Sequence, residues 1–398
     1  MSCFRIALRA IIQTCISQGA WIWVSAFRKG RAEARLQDFK MFDDASTGLW
    51  GSLVLIWRMR GKHLACAGAA IAILAQGFET FSSQMVYIDE KPTPLMDHDG
   101  VDAWPAPPPP RADTWHNVVQ RGVGGGLSLG LSTKASIYDG IISETIPTVP
   151  VSCSTANCTW PPFPTLAVCG NCSEQLFRSS CGLQNGCTYT TASGTSITEP
   201  SGAAPSFQFT VVPSGNSMEA FNSNSQAYFS VFDIMSVSQM LSKTRVQAYE
   251  CALWFCLKSF RVRVRGGIQN NVMLANWSKT EFSARRGSHY SEFVFVDIPP
   301  ELYIQDQARY TVPTDSIKVL RSFMNSLMLG NASGIGGAVT YSSDWIEAMV
   351  DSTSDMEGWI ARLSLSMTND IRRSGSTNAD VSKYTGTAYT MAPHVRVN

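Results

Sequence analysis

Charged side chains are scarce in this chain of 398 residues. Asp, Glu, Lys and Arg make up 16% of it, against about 25% in an ordinary soluble domain. The 32 basic and 31 acidic residues give a net charge of +1, so the basic excess typical of a nucleic-acid-binding domain is missing. Hydrophobic residues make up 44% of the chain. We therefore expect no nucleic-acid partner and some contact with a lipid bilayer.

A long uninterrupted hydrophobic run is also missing. The most hydrophobic stretch is Leu64 to Ile88, but its apolar part ends at Phe78 after about 15 residues, whereas a bilayer needs about 20. It follows Arg58, Arg60 and Lys62, and basic residues stay on the cytoplasmic side of a membrane. The stretch predicts a transmembrane helix over residues 63–88, with everything after 88 extracytoplasmic. A buried helix of a soluble domain is the alternative.

Residues 1–62 form an N-terminal segment with a second, weaker hydrophobic stretch. Residues 10–27 are uncharged but contain Gln13, Thr14, Ser17 and Gln18. They are typical of a partial membrane helix, an interfacial segment or an amphipathic helix. Residues 28–62 carry eight Lys and Arg, which favours a basic cytoplasmic loop.

Residues 89–131 have the composition of a linker. Pro105 to Pro110 predicts a stiff polyproline spacer, and Gly122 to Gly126 predicts a flexible one. An ectodomain over residues 132–375 follows, and then a flexible tail over residues 376–398.

The ectodomain has signals for both strands and helices. Residues 207–212, 228–232 and 293–296 are rich in aromatic and β-branched residues and predict strands. Apolar residues at 260, 262 and 264 alternate with Arg261, Arg263 and Arg265, which indicates a half-buried strand with a basic outer face. That face is either simply solvated or binds an acidic polymer.

Two helices are predicted near the end of the ectodomain. The first is capped by Asp315, presents apolar residues from Ile317 to Leu327 and stops at Gly330. The second has an apolar stripe from Met356 to Ile371 at spacings of three and four residues. The fold class is therefore α+β, with a transmembrane helix or helices ahead of a disulfide-bonded, mixed strand and helix extracytoplasmic domain.

Eight of the 11 cysteines lie between residues 153 and 256. Four of them form two close pairs, which resemble a zinc site, while eight thiols in an oxidising compartment form up to four disulfides. Four N-glycosylation sequons, all after residue 88, favour disulfides. Cys251 and Cys256 are an odd number of residues apart. If both lie in one strand, their side chains point to opposite faces, so each should pair with another cysteine. The disulfide candidates are Cys153, Cys158, Cys169, Cys172, Cys181, Cys187, Cys251 and Cys256, and the glycosylation candidates are Asn157, Asn171, Asn276 and Asn331.

Other chemical signals are weak. Cys3, Cys15 and Cys66 precede the ectodomain and are expected to be free or acylated. Ser128 lies in a literal GxSxG, but no apolar strand precedes it, and His289 and His394 have no supporting context. The five histidines are not at metal-ligand spacing. We predict no catalytic, metal-binding or cofactor-binding residues.

Several segments carry a family resemblance. They are Ile16–Gln18 with Trp21 and Trp23, Phe42–Ser46, Leu49–Leu53, Ala135–Gly140, Cys153–Trp160, Leu166–Cys172, Glu250–Cys256 and Ser366–Arg372. Together they resemble a family of fungal multi-pass membrane proteins, domain of unknown function 3176, in patches from residue 10 to 395. The resemblance implies a short cytoplasmic loop between membrane helices, a large disulfide-bonded ectodomain and a final membrane helix, without an established activity. Against that pattern, the chain is expected to be truncated at both ends.

These features together predict an integral membrane glycoprotein of the plasma membrane or secretory pathway. Its ectodomain would have a structural role or bind an unidentified protein or polysaccharide, and it would not be an enzyme. The alternatives are a membrane-tethered serine hydrolase using Ser128 and a zinc-binding protein using the cysteine pairs.

Overall fold

The structure, a computed structural model, describes most of the chain in two units. The described residues are 2–27, 36–95, 105–120, 126–182, 186–199, 204–214, 221, 227–240, 243–284, 291–305, 308–378 and 380–397. The first unit comprises residues 1–91 and 391–398, and the second comprises residues 92–390.

Helices dominate the first unit. They are α1 (Ser2–Phe27), α2 (Leu36–Thr47), α3 (Leu49–Met59) and α4 (Leu64–Met85), and the strand β1 (Val86–Pro94) follows them. Ile16, Phe42 and Leu55 form the centre of their shared core, each at most 1% exposed.

The predicted membrane segments both form helices. Residues 10–27 lie in α1. Of the stretch predicted over 63–88, residues 64–85 form α4, and residues 86–88 begin β1. Among the described residues, however, no helix is long and apolar enough to cross a membrane. The structure therefore does not confirm the transmembrane helix predicted over residues 63–88, because the apolar run of α4 ends at Phe78 and Glu79 follows it.

The second unit mixes strands and helices, which confirms the α+β class. Its strands are β2 (Pro105–Ala106), β3 (Val118–Gln120), β4 (Leu127–Leu129), β5 (Cys158–Thr159), β6 (Phe163–Glu174), β7 (Phe177–Gly182), β8 (Gly186–Thr191), β9 (Ser196–Thr198), β10 (Ser206–Pro213), β11 (Ala227–Met240), β12 (Lys243–Arg265), β13 (Ile268–Trp277), β14 (Thr280–Ala284), β15 (Ser291–Phe295), β16 (Thr311–Pro313), β17 (Gly330–Ile335), β18 (Ala338–Tyr341) and β19 (Gly386–Val397). Its helices are α5 (Leu131–Ile142), α6 (Thr314–Leu327), α7 (Asp344–Asp351) and α8 (Met356–Ser374), with short 3₁₀ turns at Pro300–Leu302, Ser352–Ser354 and Val381–Tyr384.

The main sheet is built around β12. Its strand order is β19-β5-β12-β11-β10-β17-β18, with β6 and β13 also paired to β12 and β2 paired to β19. The pairings are antiparallel. The first part of β12 lies between β11 and β6, and its last part pairs with β13 and β5.

Helices cover one face of this sheet and form the main core. The stripe of α8 is buried as predicted, with Met356, Ile360, Leu363, Met367 and Ile371 each at most 3% exposed. Because these residues recur every three or four positions, they share one side of the helix.

The predicted ends of α6 are wrong. The helix begins at Thr314, so Asp315 lies in its first turn and does not cap it, and its last residue is Leu327. Gly330 instead opens β17, where an added Cβ would lie 2.7 Å from the Ile346 side chain. The glycine is therefore needed for close packing.

The proline-rich segment packs against the rest of the second unit. The prediction that it is a stiff spacer is therefore wrong. Pro105 and Ala106 pair with β19, and the Trp160 ring N–H donates to the Pro107 carbonyl at 2.7 Å. Arg111 and Asp113 form a buried ion pair at 2.5 Å. These contacts replace the solvation that keeps a polyproline segment extended and free. Residues 122–125 of the predicted glycine-rich spacer lie outside the described residues.

The predicted flexible tail also belongs to the fold. Residues after 385 form β19, and Tyr384 just before it is fully buried. The compact unit therefore extends beyond the predicted 132–375, because strand pairing supplies the order that the polar composition of the tail does not reveal.

Candidate functional site

The eight cysteines of the second unit form four disulfides. The bonds are Cys153–Cys158, Cys169–Cys256, Cys172–Cys251 and Cys181–Cys187. This confirms the disulfide prediction. Because every one of these sulfurs is bonded to another, none is left as a thiolate that could hold zinc.

Two of the bonds join β6 to β12 on opposite faces. Cys172 lies directly opposite Cys251, whereas Cys169 lies opposite Trp254, diagonal to Cys256. Cys172 and Cys251 belong to the main core, while Cys169 and Cys256 pack with Trp254 in a separate cluster. The prediction that Cys251 and Cys256 pair elsewhere is confirmed, and its reason holds because both lie in one strand.

Thiols and disulfides divide between the two units. Cys15 and Cys66, in α1 and α4, are free thiols. The side chain of Cys3 lies outside the described residues. Disulfides persist in oxidising compartments and are rare in the cytosol, so this division fits two different environments.

Three of the four sequon asparagines are exposed. Asn171, Asn276 and Asn331 have exposed side chains, in β6, β13 and β17 respectively. Asn157 is half-buried, and its side-chain oxygen accepts a hydrogen bond from the Gly266 backbone N–H at 3.0 Å. An N-glycan needs an exposed acceptor, so the geometry favours the first three sites.

Ser128 lies in a small two-stranded ribbon. It sits in the middle of β4, opposite Val119 of β3, and its hydroxyl donates to the Val119 carbonyl at 3.4 Å. In a hydrolase the serine sits on the turn between strand and helix, whereas here Gly130 occupies that place ahead of α5. His289 and the side chain of His394 lie outside the described residues.

In the part of the chain that the structure describes, histidine and carboxylate groups do not form a metal site. Within the described part of the chain, no group of three or more His, Cys, Asp or Glu side chains is placed to hold an ion. His63 is in contact with aromatic rings instead, with ring centroids 5.2 Å from Trp23 and 5.7 Å from Phe42. It is half-buried and packs beside the core of the first unit.

A polar cleft lies between α5 and α8. The two helices approach closely at Gly140, where an added Cβ would lie 2.9 Å from the Leu363 Cα. Ser136 and Ser366 each donate a hydroxyl hydrogen bond to the backbone carbonyl of the other, at 2.7 and 2.8 Å. The sequence offered no signal for this pairing, because serines carry no helical periodicity.

The cleft has a volume of about 500 Å³ and is lined mostly by polar side chains. Asp139 and Asp370 supply carboxylates and Arg373 supplies a guanidinium. Burial raises the pKa of Asp370, although a hydrogen bond from the Thr133 hydroxyl at 2.6 Å and the charge of Arg373 act in the opposite direction. Such a set of donors and acceptors suits a ligand with several hydroxyl or amino groups.

The first unit has a different kind of surface. Trp50, Leu53 and Trp57 follow one another at helical spacing on α3 and are 78%, 49% and 85% exposed. We call these three residues the α3 stripe. Leu55, which points to the other side of the same helix, is fully buried.

Other apolar and basic groups of the first unit are also exposed or line a pocket. On α4, Leu64, Ile71 and Leu74 are 87%, 49% and 71% exposed. Arg58 and Lys62 line a pocket of about 340 Å³ together with Asp38 and His63. An exposed apolar surface of this kind, bordered by basic residues, marks an interaction site.

Comparison with known proteins gives one match. Residues 1–87 match the family model described as a protein of unknown function (DUF3176). The match covers the α-helical first unit and leaves the second unit unmatched. No curated protein and no solved structure matches the chain.

Proposed function

We propose that this chain is an integral membrane glycoprotein whose second unit is an extracytoplasmic interaction domain and not an enzyme. The single observation that carries the proposal is the division of the cysteines. Four disulfides lie in the second unit, while Cys15 and Cys66 of the first unit are free. That division fits a second unit that folds in the oxidising secretory pathway.

The α3 stripe supports contact of the first unit with lipid. Trp side chains concentrate at membrane–water interfaces, and an interfacial helix combines them with basic residues. The last turn of α3 contains Arg58, which is next to the exposed Trp57 in sequence. A water-exposed surface would leave these two indole rings hydrated, whereas a bilayer interface buries them.

The helix α4 supports the proposed orientation of the chain across the membrane. It has 22 residues, which corresponds to about 33 Å, close to the hydrocarbon thickness of about 30 Å. Within the first unit, α4 packs against α1 and α3. Arg58 and Lys62 lie on its N-terminal side, which supports an extracytoplasmic position for the residues after 88, because basic residues stay on the cytoplasmic side.

Vesicle sedimentation tests the membrane part of the proposal. The full chain should stay with membranes after a high-salt wash and leave them only in detergent. Replacing Trp50 and Trp57 with Ser should weaken its binding to anionic vesicles at least tenfold. The matched control is Phe282→Ser, which removes an aromatic side chain that is 60% exposed in the second unit, and it should change nothing. A full chain that stays in the supernatant contradicts membrane attachment.

A serine probe tests the interaction role against the hydrolase alternative. A fluorophosphonate should leave the purified full chain unlabelled, because Ser128 lies within a strand and not on a strand-to-helix turn. Labelling that disappears in Ser128→Ala would identify a hydrolase and overturn the non-enzymatic role.

A further inference from the structure

One half of the main sheet has a face with solvent-exposed side chains. Along the end of β12, Phe260, Val262 and Val264 point into a buried cluster, with at most 6% exposure. Arg261, Arg263 and Arg265 alternate with them and point to the opposite side, where Arg263 and Arg265 are exposed.

Neighbouring strands extend this face with uncharged polar groups and with the exposed apolar side chains of Ile268 and Val272, which lie opposite Arg265 and Arg261. Arg263 lies opposite Asn270 of β13 on one side and Thr159 of β5 on the other. Thr159 lies in turn opposite Thr387 of β19, and its hydroxyl donates to the Tyr389 hydroxyl at 3.3 Å. We call these residues the arginine face: Thr159, Arg261, Arg263, Arg265, Asn270, Thr387 and Tyr389.

The dimensions of the arginine face follow from sheet geometry. Three arginines at alternate positions span about 14 Å along β12, and four strands span about 14 Å across it. A tight turn ends the hairpin, with positive φ at Gly266 (55°) and Gly267 (79°). This turn places Arg265 directly opposite Ile268, so the arginines continue to the end of the hairpin.

The positive charge of the arginine face is not neutralised within the described chain. None of the three arginines is within ion-pair distance of a described carboxylate. Like charges at alternate positions on one strand repel each other, so the arrangement is unfavourable on its own. A bound anion would remove that repulsion.

We propose that the arginine face binds an acidic polysaccharide. Guanidinium groups bind carboxylate and sulfate with two parallel hydrogen bonds. Asn270, Thr159 and Thr387 add amide and hydroxyl groups that match sugar hydroxyls, and Tyr389 offers a half-exposed ring to a sugar's apolar face. The face extends across four paired strands at Arg263, which suits an extended polymer better than a compact ligand.

The proposal names the partner of the extracytoplasmic domain and thus rests on the proposed function. Its failure can be told apart from failure of that function. Polymer binding is measured on purified protein, whereas membrane attachment is measured by vesicle sedimentation. Neither result depends on the other.

The test is binding of the purified full chain in detergent to immobilised polymers. Heparin supplies sulfates, polygalacturonate supplies carboxylates and dextran is the neutral comparison. We expect binding to at least one acidic polymer and none to dextran, with affinity falling as salt rises. Replacing Arg263 with Ser should weaken binding about tenfold, and replacing all three arginines at least 100-fold.

A matched control lies in the same strand. Arg245 is exposed and lies in β12, outside the segment that pairs with β13. Arg245→Ser removes the same charge and should leave binding within about twofold, and circular dichroism should report native folding for every variant. Arg263→Lys keeps the charge but loses the two-pronged geometry, so it should bind between the unmutated chain and Arg263→Ser.

Four results would overturn the proposal. The first is unchanged binding in the triple variant, and the second is an equal loss in Arg245→Ser. The third is an affinity for a DNA duplex and for inorganic polyphosphate that equals the affinity for the acidic polysaccharides, because the face would then respond to charge alone. The fourth is binding to dextran as strong as binding to either acidic polymer, because the charge of the face would then play no part.

Discussion

The two disulfides between β6 and β12 should be strongly non-additive in their effect on stability. Cys172–Cys251 and Cys169–Cys256 close loops with sequence separations of 79 and 87 residues. Closing one loop of this size in the unfolded chain is worth about 4.5 kcal/mol. Once one bond is present, the other closes only a ring of about eight residues, worth about 2.5 kcal/mol.

Removing either bond alone should therefore lower the free energy of unfolding by little more than half of the amount that its loop length predicts. Replacing Cys172 and Cys251 with Ala should lower the free energy of unfolding by about 2.5 kcal/mol, and so should replacing Cys169 and Cys256. Replacing all four should lower it by about 7 kcal/mol, which exceeds the sum of the two separate losses by about 2 kcal/mol.

Denaturant unfolding of these variants, followed by fluorescence without reducing agent, measures the coupling. The matched control is Cys181–Cys187, a bond between β7 and β8 with a separation of 6 residues. Its removal should cost about 2 kcal/mol and add independently to either of the other losses. Two separate losses of about 4.5 kcal/mol that simply add would refute the reasoning, because each bond would then act as though the other were absent.

Two buried charges in the second unit predict pH-dependent stability. Burial lowers the pKa of Lys258 to about 8 from its ordinary value of 10.5, so the unfolded chain binds more protons than the folded one between these pH values. Stability should rise by up to about 3 kcal/mol over that window, and Lys258→Met should abolish the rise in denaturant unfolding at a series of pH values; an unchanged slope would contradict the burial of the charge. Burial raises the pKa of Asp370, so its contribution is fully present when it is protonated and is lost as pH rises through the folded pKa. Asp370→Asn should therefore unfold at higher denaturant than the unmutated chain at about pH 7 but not at about pH 3, below the ordinary Asp pKa of about 3.9, and an equal shift at both would refute this.

Local sequence patterns correctly predicted those strands and helices that bury one face, because burial of one face produces a regular spacing of apolar residues. Alternation from Phe260 to Arg265 identified a half-buried strand, and the three-and-four spacing from Met356 identified α8. The odd spacing of Cys251 and Cys256 excluded a bond between them within one strand. In each case the pattern reflects the geometry of a single element.

Long-range pairing decided what the local patterns missed. The partners of Cys251 and Cys256 depend on the register of β6 against β12, which lie about 80 residues apart in sequence. The strand β19 mixes small, polar and apolar residues, and it gains its order from pairing with β5 and β2. Eight cysteines allow 105 pairings, and only the register selects one of them.

The candidate cleft was missed for the same reason. Ser136 and Ser366 are 230 residues apart in sequence, and their mutual hydrogen bonds form only once α5 packs against α8. The proline-rich segment was misjudged because composition describes a free chain. Its contacts with Trp160 and β19 come from residues that lie far away in sequence.

The most direct test of the central claim, that the second unit is extracytoplasmic, is glycan mapping by gel mobility. The full chain expressed in a eukaryotic cell is compared with Asn276→Gln and Asn331→Gln, each with and without glycosidase. Both asparagines are exposed, so each replacement should raise mobility by one glycan step and the glycosidase should remove the difference. Identical mobility of all three proteins, unchanged by glycosidase, would contradict the claim.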